Sequence, residues 1–240
     1  MSLIIAHRGA SGYAPENTLE AFRLAMDMGA DGFELDVHMS RDGQLVVIHD
    51  DTVDRTTNGT GLVKELTLAQ IQALDAGNGM EAYRGARIPT LGEVFDLVRD
   101  TKHIVNVEVK TDDWFYPGIE EACLALAKEK GMEDRVIYSS FNHHTLIKLR
   151  ELKPDARLGL LFGDIMFKPW EYAKQLPVDY LHPMKMNIHR PGFAEATYAA
   201  GYGINMWTIN DRETMELCLK HGAGIITNYP DVAIALRDHK

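Results

Sequence analysis

The stretch whose reading decides the fold is Gly32–Asp51, GFELDVHMSRDGQLVVIHDD. It opens as a strand in which Phe33, Leu35 and Val37 alternate with Glu34 and Asp36. Side chains on a strand point to opposite faces in turn, so the two carboxylates share one face and the apolar trio takes the other. Asp42-Gly43 then reads as a two-residue hairpin turn, after which QLVVIHD runs back antiparallel and returns His49 to the level of Glu34 and Asp36. One face of this hairpin is built for a core, and the other carries chemistry.

Working outward, short β-branched runs alternate with amphipathic segments along the whole chain, the pattern of repeated βα units and a parallel sheet. The strands are LIIAH, GFELDV, IVNVEVK, RVIYSSF, ARLGLLF, VDYLHP, GINMWTI and GIITN. Helical segments lie between them, several ending at Gly as a helix C-cap does, and Asn17 with Glu20 has capping-box spacing at the start of the first. Eight such units closing on themselves predict an α/β fold of the TIM (β/α)8 type. An open doubly wound sheet is the alternative, but it would call for a Gly-rich phosphate loop that the sequence lacks. QLVVIHD is a ninth strand, assigned to a β-hairpin at the rim after the second strand. The turn-rich segment Thr52–Pro89 is assigned to a small rim insertion, and residues 1–240 read as one barrel domain.

The 240 residues are 45% hydrophobic, enough for one sizeable core. A formal charge of −10 argues against a nucleic-acid partner, because such proteins neutralise phosphates with a basic face. An anionic substrate must therefore meet local cations. Cys123 and Cys218 have no metal or disulfide spacing and read as buried thiols. No apolar run reaches the roughly 20 residues of a membrane span, so stable membrane insertion is not expected and the reading is a cytoplasmic protein.

In VNVEVK the period of two turns Asn106, Glu108 and Lys110 inward, so three carboxylates, Glu34, Asp36 and Glu108, converge on one end of the barrel. Carboxylates this close repel one another unless a cation sits among them, and oxygen ligands suit Mg²⁺ or Ca²⁺. An ion-pair cluster with Lys110 and Arg8 is the alternative. His7 ends the first strand and His49 ends the hairpin's return, where two imidazoles could divide proton transfer across a phosphodiester. Arg8 and Lys110 supply local cations for a phosphate, provided that the chain bends at His7-Arg8-Gly9, which Gly9 permits. Trp207 either walls the pocket or is plain core, and Trp114–Gly118, WFYPG, either touches substrate or caps the barrel. His38 has the parity to join Glu34 and Asp36 but lies farther out along the hairpin arm, and His143, His144, His182, His189 and His221 have no partner constellation; all six are assigned to surface or loop roles.

At these residues the chain resembles the glycerophosphodiester phosphodiesterase family, which combines an N-terminal HRG with PENT, an ELDV…DG…VVIHD hairpin and a later VEVK. Here these stand at His7–Gly9, Pro15–Thr18, Glu34–Asp50 and Val107–Lys110, with Trp207 at the late aromatic position. The resemblance implies one divalent cation, Mg²⁺ or Ca²⁺, on Glu34, Asp36 and Glu108, with His7 and His49 as acid and base. It implies hydrolysis of small-molecule glycerophosphodiesters to an alcohol and sn-glycerol 3-phosphate, in the manner of the compact cytosolic members. Cleavage of lysophospholipids and a silent phosphodiester-binding barrel are the rivals, and self-association is left open.

Overall fold

The computed structural model describes residues 2–239. Its strands are β1 (Ile4–His7), β2 (Gly32–Met39), β3 (Leu45–Val47), β4 (Ile104–Val109), β5 (Val136–Ser140), β6 (Arg157–Phe162), β7 (Tyr180–Pro183), β8 (Gly203–Met206) and β9 (Gly224–Thr227). Every pairing is parallel except that of β2 with β3, and β1 pairs with both β2 and β9. The eight parallel strands therefore close into a TIM barrel, and β3 lies outside it as the hairpin's return. The helices are α1 (Leu19–Asp27), α2 (Leu68–Gln72), α3 (Leu91–Val98), α4 (Ile119–Glu129), α5 (His143–Leu152), α6 (Pro169–Ala173), α7 (Phe193–Ala199), α8 (Arg212–His221) and α9 (Pro230–Asp238).

The alternation read from the sequence decides what each strand face touches. Phe33, Leu35 and Val37 of β2 and Val105, Val107 and Val109 of β4 pack outward into the helix-facing core with Phe22 of α1 and Phe95 of α3. Phe33 stacks on Phe22 at 4.4 Å between ring centroids. Emptying such a fully buried aromatic site costs about 3–5 kcal/mol. The opposite faces of the same strands carry Glu34, Asp36, Asn106 and Glu108, all buried.

Two local expectations are corrected. The hairpin closes on Ser40 and Gln44, so its loop is the three residues Arg41, Asp42 and Gly43, with Gly43 left-handed at φ 76°. Side-chain bonds favour this wider turn: Ser40 Oγ donates to Asp42 and accepts from the Gln44 N–H, while Asp42 also accepts the Leu68 N–H at the start of α2. The cap of α1 is Thr18, whose hydroxyl accepts the Ala21 N–H, and not Asn17. Asn17 turns left-handed at φ 57° and sends its amide into the barrel instead.

β3 is buried on both faces. Leu45 and Val47 join the helix-facing core, whereas Val46 and Ile48 pack with Val53, Val63, Ile71 and Ile88 from the segment that follows. A slip of one residue would exchange the two faces, so both clusters fix the register of the strand that carries His49.

Candidate active site

β2 and β4 lie side by side with Glu34 opposite Asn106 and Asp36 opposite Glu108. Register and parity together bring one oxygen each from Glu34, Asp36 and Glu108 within 4.8 Å of one another. Burial raises Glu34 well above the usual carboxylate range, and the charges of Asp36 and Glu108 add to it. Glu108 is pushed up to about 7 by burial and by Asp36. Burial pushes Asp36 the same way, but Arg8 and Lys110 outweigh it and hold this carboxyl below its ordinary value.

Both readings of the cluster hold in part. Lys110 pairs with Glu108 at 2.7 Å and stands 3.8 Å from Asp36, and Arg8 Nε lies 3.3 Å from Asp36. Two cations still face three carboxylates. Asp36 Oδ1 is buried and accepts no hydrogen bond, which is costly for a charged oxygen without a further partner. Two oxygens on one ion at about 2.0–2.6 Å sit up to about 4–5 Å apart. The span of the triad and its all-oxygen donors therefore fit a hard divalent cation held by Glu34, Asp36 and Glu108.

His7 Nδ1 lies 2.7 Å from Asn228 Oδ1, just beyond β9, and its Nε2 is 4.0 Å from Glu34. An amide oxygen only accepts, so Nδ1 carries the hydrogen and Nε2 is left bare. Burial and the neighbouring Arg8 charge lower this imidazole to about 4. His49 is braced differently, with Nδ1 2.6 Å from the Asp50 carboxylate. Both histidines line one cavity of about 420 Å³, counting its open mouth, together with Arg8, Glu34, Asn106, Glu108, Phe141 and Trp207. Asp36 and Lys110 do not reach its surface.

The bend at the first strand involves Arg8 itself, left-handed at φ 56°, as well as Gly9 at φ 80°. It turns the Arg8 N–H to Glu34 at 3.1 Å and its guanidinium toward Asp36. Trp207 donates its indole N–H to the His182 carbonyl at 2.7 Å and meets Phe141 edge to face, which sets its plane in the cavity wall. The WFYPG stretch divides. Trp114 is tied to Asp51 with the Lys64 ammonium over its ring, Tyr116 is buried, and Phe115 is 82% exposed.

Three histidines expected at the surface or in loops are not free there. His38 is buried between the Tyr116 hydroxyl and the His49 carbonyl, so it ties the returning strand to β2. His182 is buried inside the barrel against Asn205, and His143 bridges the Tyr172 hydroxyl and the Leu161 carbonyl. His144 and His189 are exposed, and His221 pairs with Glu195. Sequence reasoning also missed Glu16, Asn17, Asp50, Arg55 and Asn228 as partners of the site. Glu16 and Asn17 lie inside the quoted PENT motif, and that was the available signal.

A pocket lined by carboxylates and two imidazoles holds the kinds of group that hydrolysis of phosphate esters calls for. The comparisons agree. The sequence model of the Glycerophosphoryl diester phosphodiesterase family matches residues 7–232, so this chain belongs to that family. A glycerophosphodiester phosphodiesterase of Caldanaerobacter subterraneus subsp. tengcongensis is 47% identical, over 98% of this chain and 97% of that one. Another from Bacillus altitudinis is 38% identical over 99% of each. Among solved structures, a phosphodiesterase of Oleispira antarctica in complex with the product sn-glycerol-3-phosphate is 33% identical, with a TM-score of 0.87 over 99% of this chain and 97% of that one. Both cysteines are free and buried, and no helix among the described residues is long and apolar enough to cross a membrane.

Proposed function

We propose that this chain hydrolyses glycerophosphodiesters to an alcohol and sn-glycerol 3-phosphate, with His7 and His49 as the proton carriers and a divalent cation, Mg²⁺ or Ca²⁺, on Glu34, Asp36 and Glu108. The observation that carries the reading is the shared cavity: two imidazoles, each with Nδ1 engaged and Nε2 unbonded, flank a carboxylate triad whose oxygens lie within 4.8 Å. The cation, when bound, would draw charge from a non-bridging phosphoryl oxygen and offset the repulsion among its carboxylates.

The protein's own groups do the rest. Arg8, at the cavity wall, holds a second phosphate oxygen, and Lys110 pairs with Glu108 and, with Arg8, keeps Asp36 ionised. His7, kept neutral by burial and by Arg8, takes a proton at Nε2 from the attacking water. His49, with Nδ1 bound to the Asp50 carboxylate, serves as the acid that protonates the departing alkoxide from Nε2. Trp207 walls the side on which the alcohol leaves. Residues 1–240 act as one domain in this reading, in keeping with the near-equal lengths of chain and relatives. Two unpaired thiols suit a reducing compartment, and we assign the protein to the cytoplasm.

The deciding test is glycerol 3-phosphate release from glycerophosphocholine and its analogues, after chelation and after return of Mg²⁺ or Ca²⁺. Turnover that survives complete removal of divalent ions would end the reading. A second substrate class has one observation in its favour: Phe115 and Phe167, on the loops after β4 and β6, are 82% and 83% exposed and could meet an acyl chain. Faster turnover of lysophosphatidylcholine than of glycerophosphocholine would select it.

A further inference from the structure

Neither His49 nor Arg8 is braced by the barrel wall alone. His49 lies beyond the end of β3, and Arg8 lies in the bend after β1. One exposed side chain joins them. Arg55, in the segment after the hairpin, donates Nε and Nη2 to the two oxygens of Asp50 at 2.7 and 3.0 Å. On its other edge it donates Nη1 and Nη2 to the two oxygens of Glu16 at 2.9 and 2.8 Å. Asp50 accepts the His49 Nδ1–H at 2.6 Å, and Glu16 accepts from Arg8 Nη1 at 3.0 Å. The order is thus His49, Asp50, Arg55, Glu16, Arg8.

Exposed ion pairs usually contribute little, and the Arg55 side chain is 46% exposed. The exception is a network of two-pronged pairs with fixed geometry, and here both edges of one planar guanidinium are filled. A lysine ammonium has no second edge and could not hold both carboxylates in the same way. We propose that Arg55 is a positioning residue for the reaction proposed above: through Asp50 it fixes His49 with Nδ1 protonated and Nε2 facing the phosphate, and through Glu16 it sets Arg8. The inference rests on that reaction for its consequence, but not for its geometry. Asp50 accordingly titrates low, at about 2, because of the Arg55 hydrogen bonds and then the bond from His49.

The test reads structure and rate separately. With ¹⁵N-labelled histidine and no substrate, at a pH high enough for the ring to carry a single proton, His49 in the intact protein should keep that proton on Nδ1. Arg55→Ala should leave His49 a mixture of tautomers while His7, held by Asn228, is unchanged. In steady state Arg55→Ala should lower kcat about 10–100-fold, the usual loss when a partner that orients a reacting group is removed. KM should rise as well, because Arg8 is loosened. Asp50→Asn with Arg55→Ala should be no worse than the poorer single variant, and added guanidinium should restore part of the Arg55→Ala rate. Should Arg55→Ala fail to fold, Arg55→Lys carries the test, with kcat lowered and the His49 tautomer mixed. An unchanged tautomer with kcat/KM within about twofold of the intact protein, in either variant, overturns the inference. If the intact protein turned over no glycerophosphodiester while its tautomer still depended on Arg55, the bracing would stand and the proposed reaction would fall.

Discussion

The β1–β2–β4 arc of the barrel and the β7–β8 arc opposite it each bury a histidine, and burial lowers both imidazoles, His7 to about 4 and His182 to about 3. Their surroundings differ. His7 keeps 16% of its side chain exposed at the cavity and sits beside Arg8, with Glu34 4.0 Å away. His182 is wholly enclosed, its Nε2 accepts from Asn205 Nδ2 at 3.0 Å, and Gly159 leaves the space that its ring fills. The same desolvation therefore acts on both, and what separates the proposed reacting group from the structural one is access together with neighbouring charge.

The sharpest way to break this comparison is to remove each ring. His7→Ala and His49→Ala should lower kcat by about 10²–10⁴-fold with little change in melting temperature, as expected for lost acid/base catalysis. His182→Ala should leave kcat within about threefold while costing about 2–4 kcal/mol, the toll of a cavity and an unpaired Asn205 amide. Equal losses of kcat in all three would dissolve the distinction.

Smaller, and confined to the charged arc, is the coupling of cation to protons. Glu34 is raised and Glu108 lies at about 7, so without a cation both hold protons well above the pH at which free carboxylates lose them. Cation binding must expel those protons, and its apparent affinity should weaken as pH falls from 8 to 6, by up to about tenfold per unit for each proton released. Calorimetric titration with Mg²⁺ or Ca²⁺ in buffers of different ionisation enthalpy counts the protons. A count of zero would mean that the carboxylates are already ionised.

The enclosed arc has its own pH signature. His182 stays neutral in the folded chain down to about 3 and takes a proton near its ordinary 6.5 when unfolded. As pH falls through 6.5 the unfolded state binds the proton first, so stability declines by up to about 1.4 kcal/mol per unit between 6.5 and 3. His182→Ala should flatten that slope in urea titrations compared with the intact chain, and parallel slopes would show that the ring ionises in place. Smallest of all, Thr18→Ala should cost about 1 kcal/mol by removing the α1 cap, with kcat unaffected. A smaller loss than that of Glu20→Ala would return the cap to the capping box expected at Asn17.

Much of the charged arc was legible in the sequence because strand geometry has a period of two. Once GFELDV and VNVEVK are strands, Glu34, Asp36, Asn106 and Glu108 must share the face opposite the valines and Phe33, and all four are buried inside the barrel. The hairpin's return was legible too, although its turn is one residue longer, because Ser40 and Asp42 bond back onto the backbone. The enclosed arc was not legible. YLHP gives His182 an inward parity, but nothing local shows that Asn205 waits one strand away. His38 looked too far along the arm, and only the position of Tyr116, 78 residues later, makes it a buried tie.

The order of strands and helices, the inward face of each strand and the residue types at the mouth were determined by the sequence alone, because periodicity and turn chemistry act over a few neighbouring residues. Which groups meet was decided by closure of the barrel. Pairing β1 with β9 brings Asn228 to His7 across 221 residues and leaves its Nε2 bare. Docking the hairpin beside the first bend lets one arginine reach both Asp50 and Glu16. Such contacts depend on register and on the packing of elements far apart in the chain, and no short-range pattern records them.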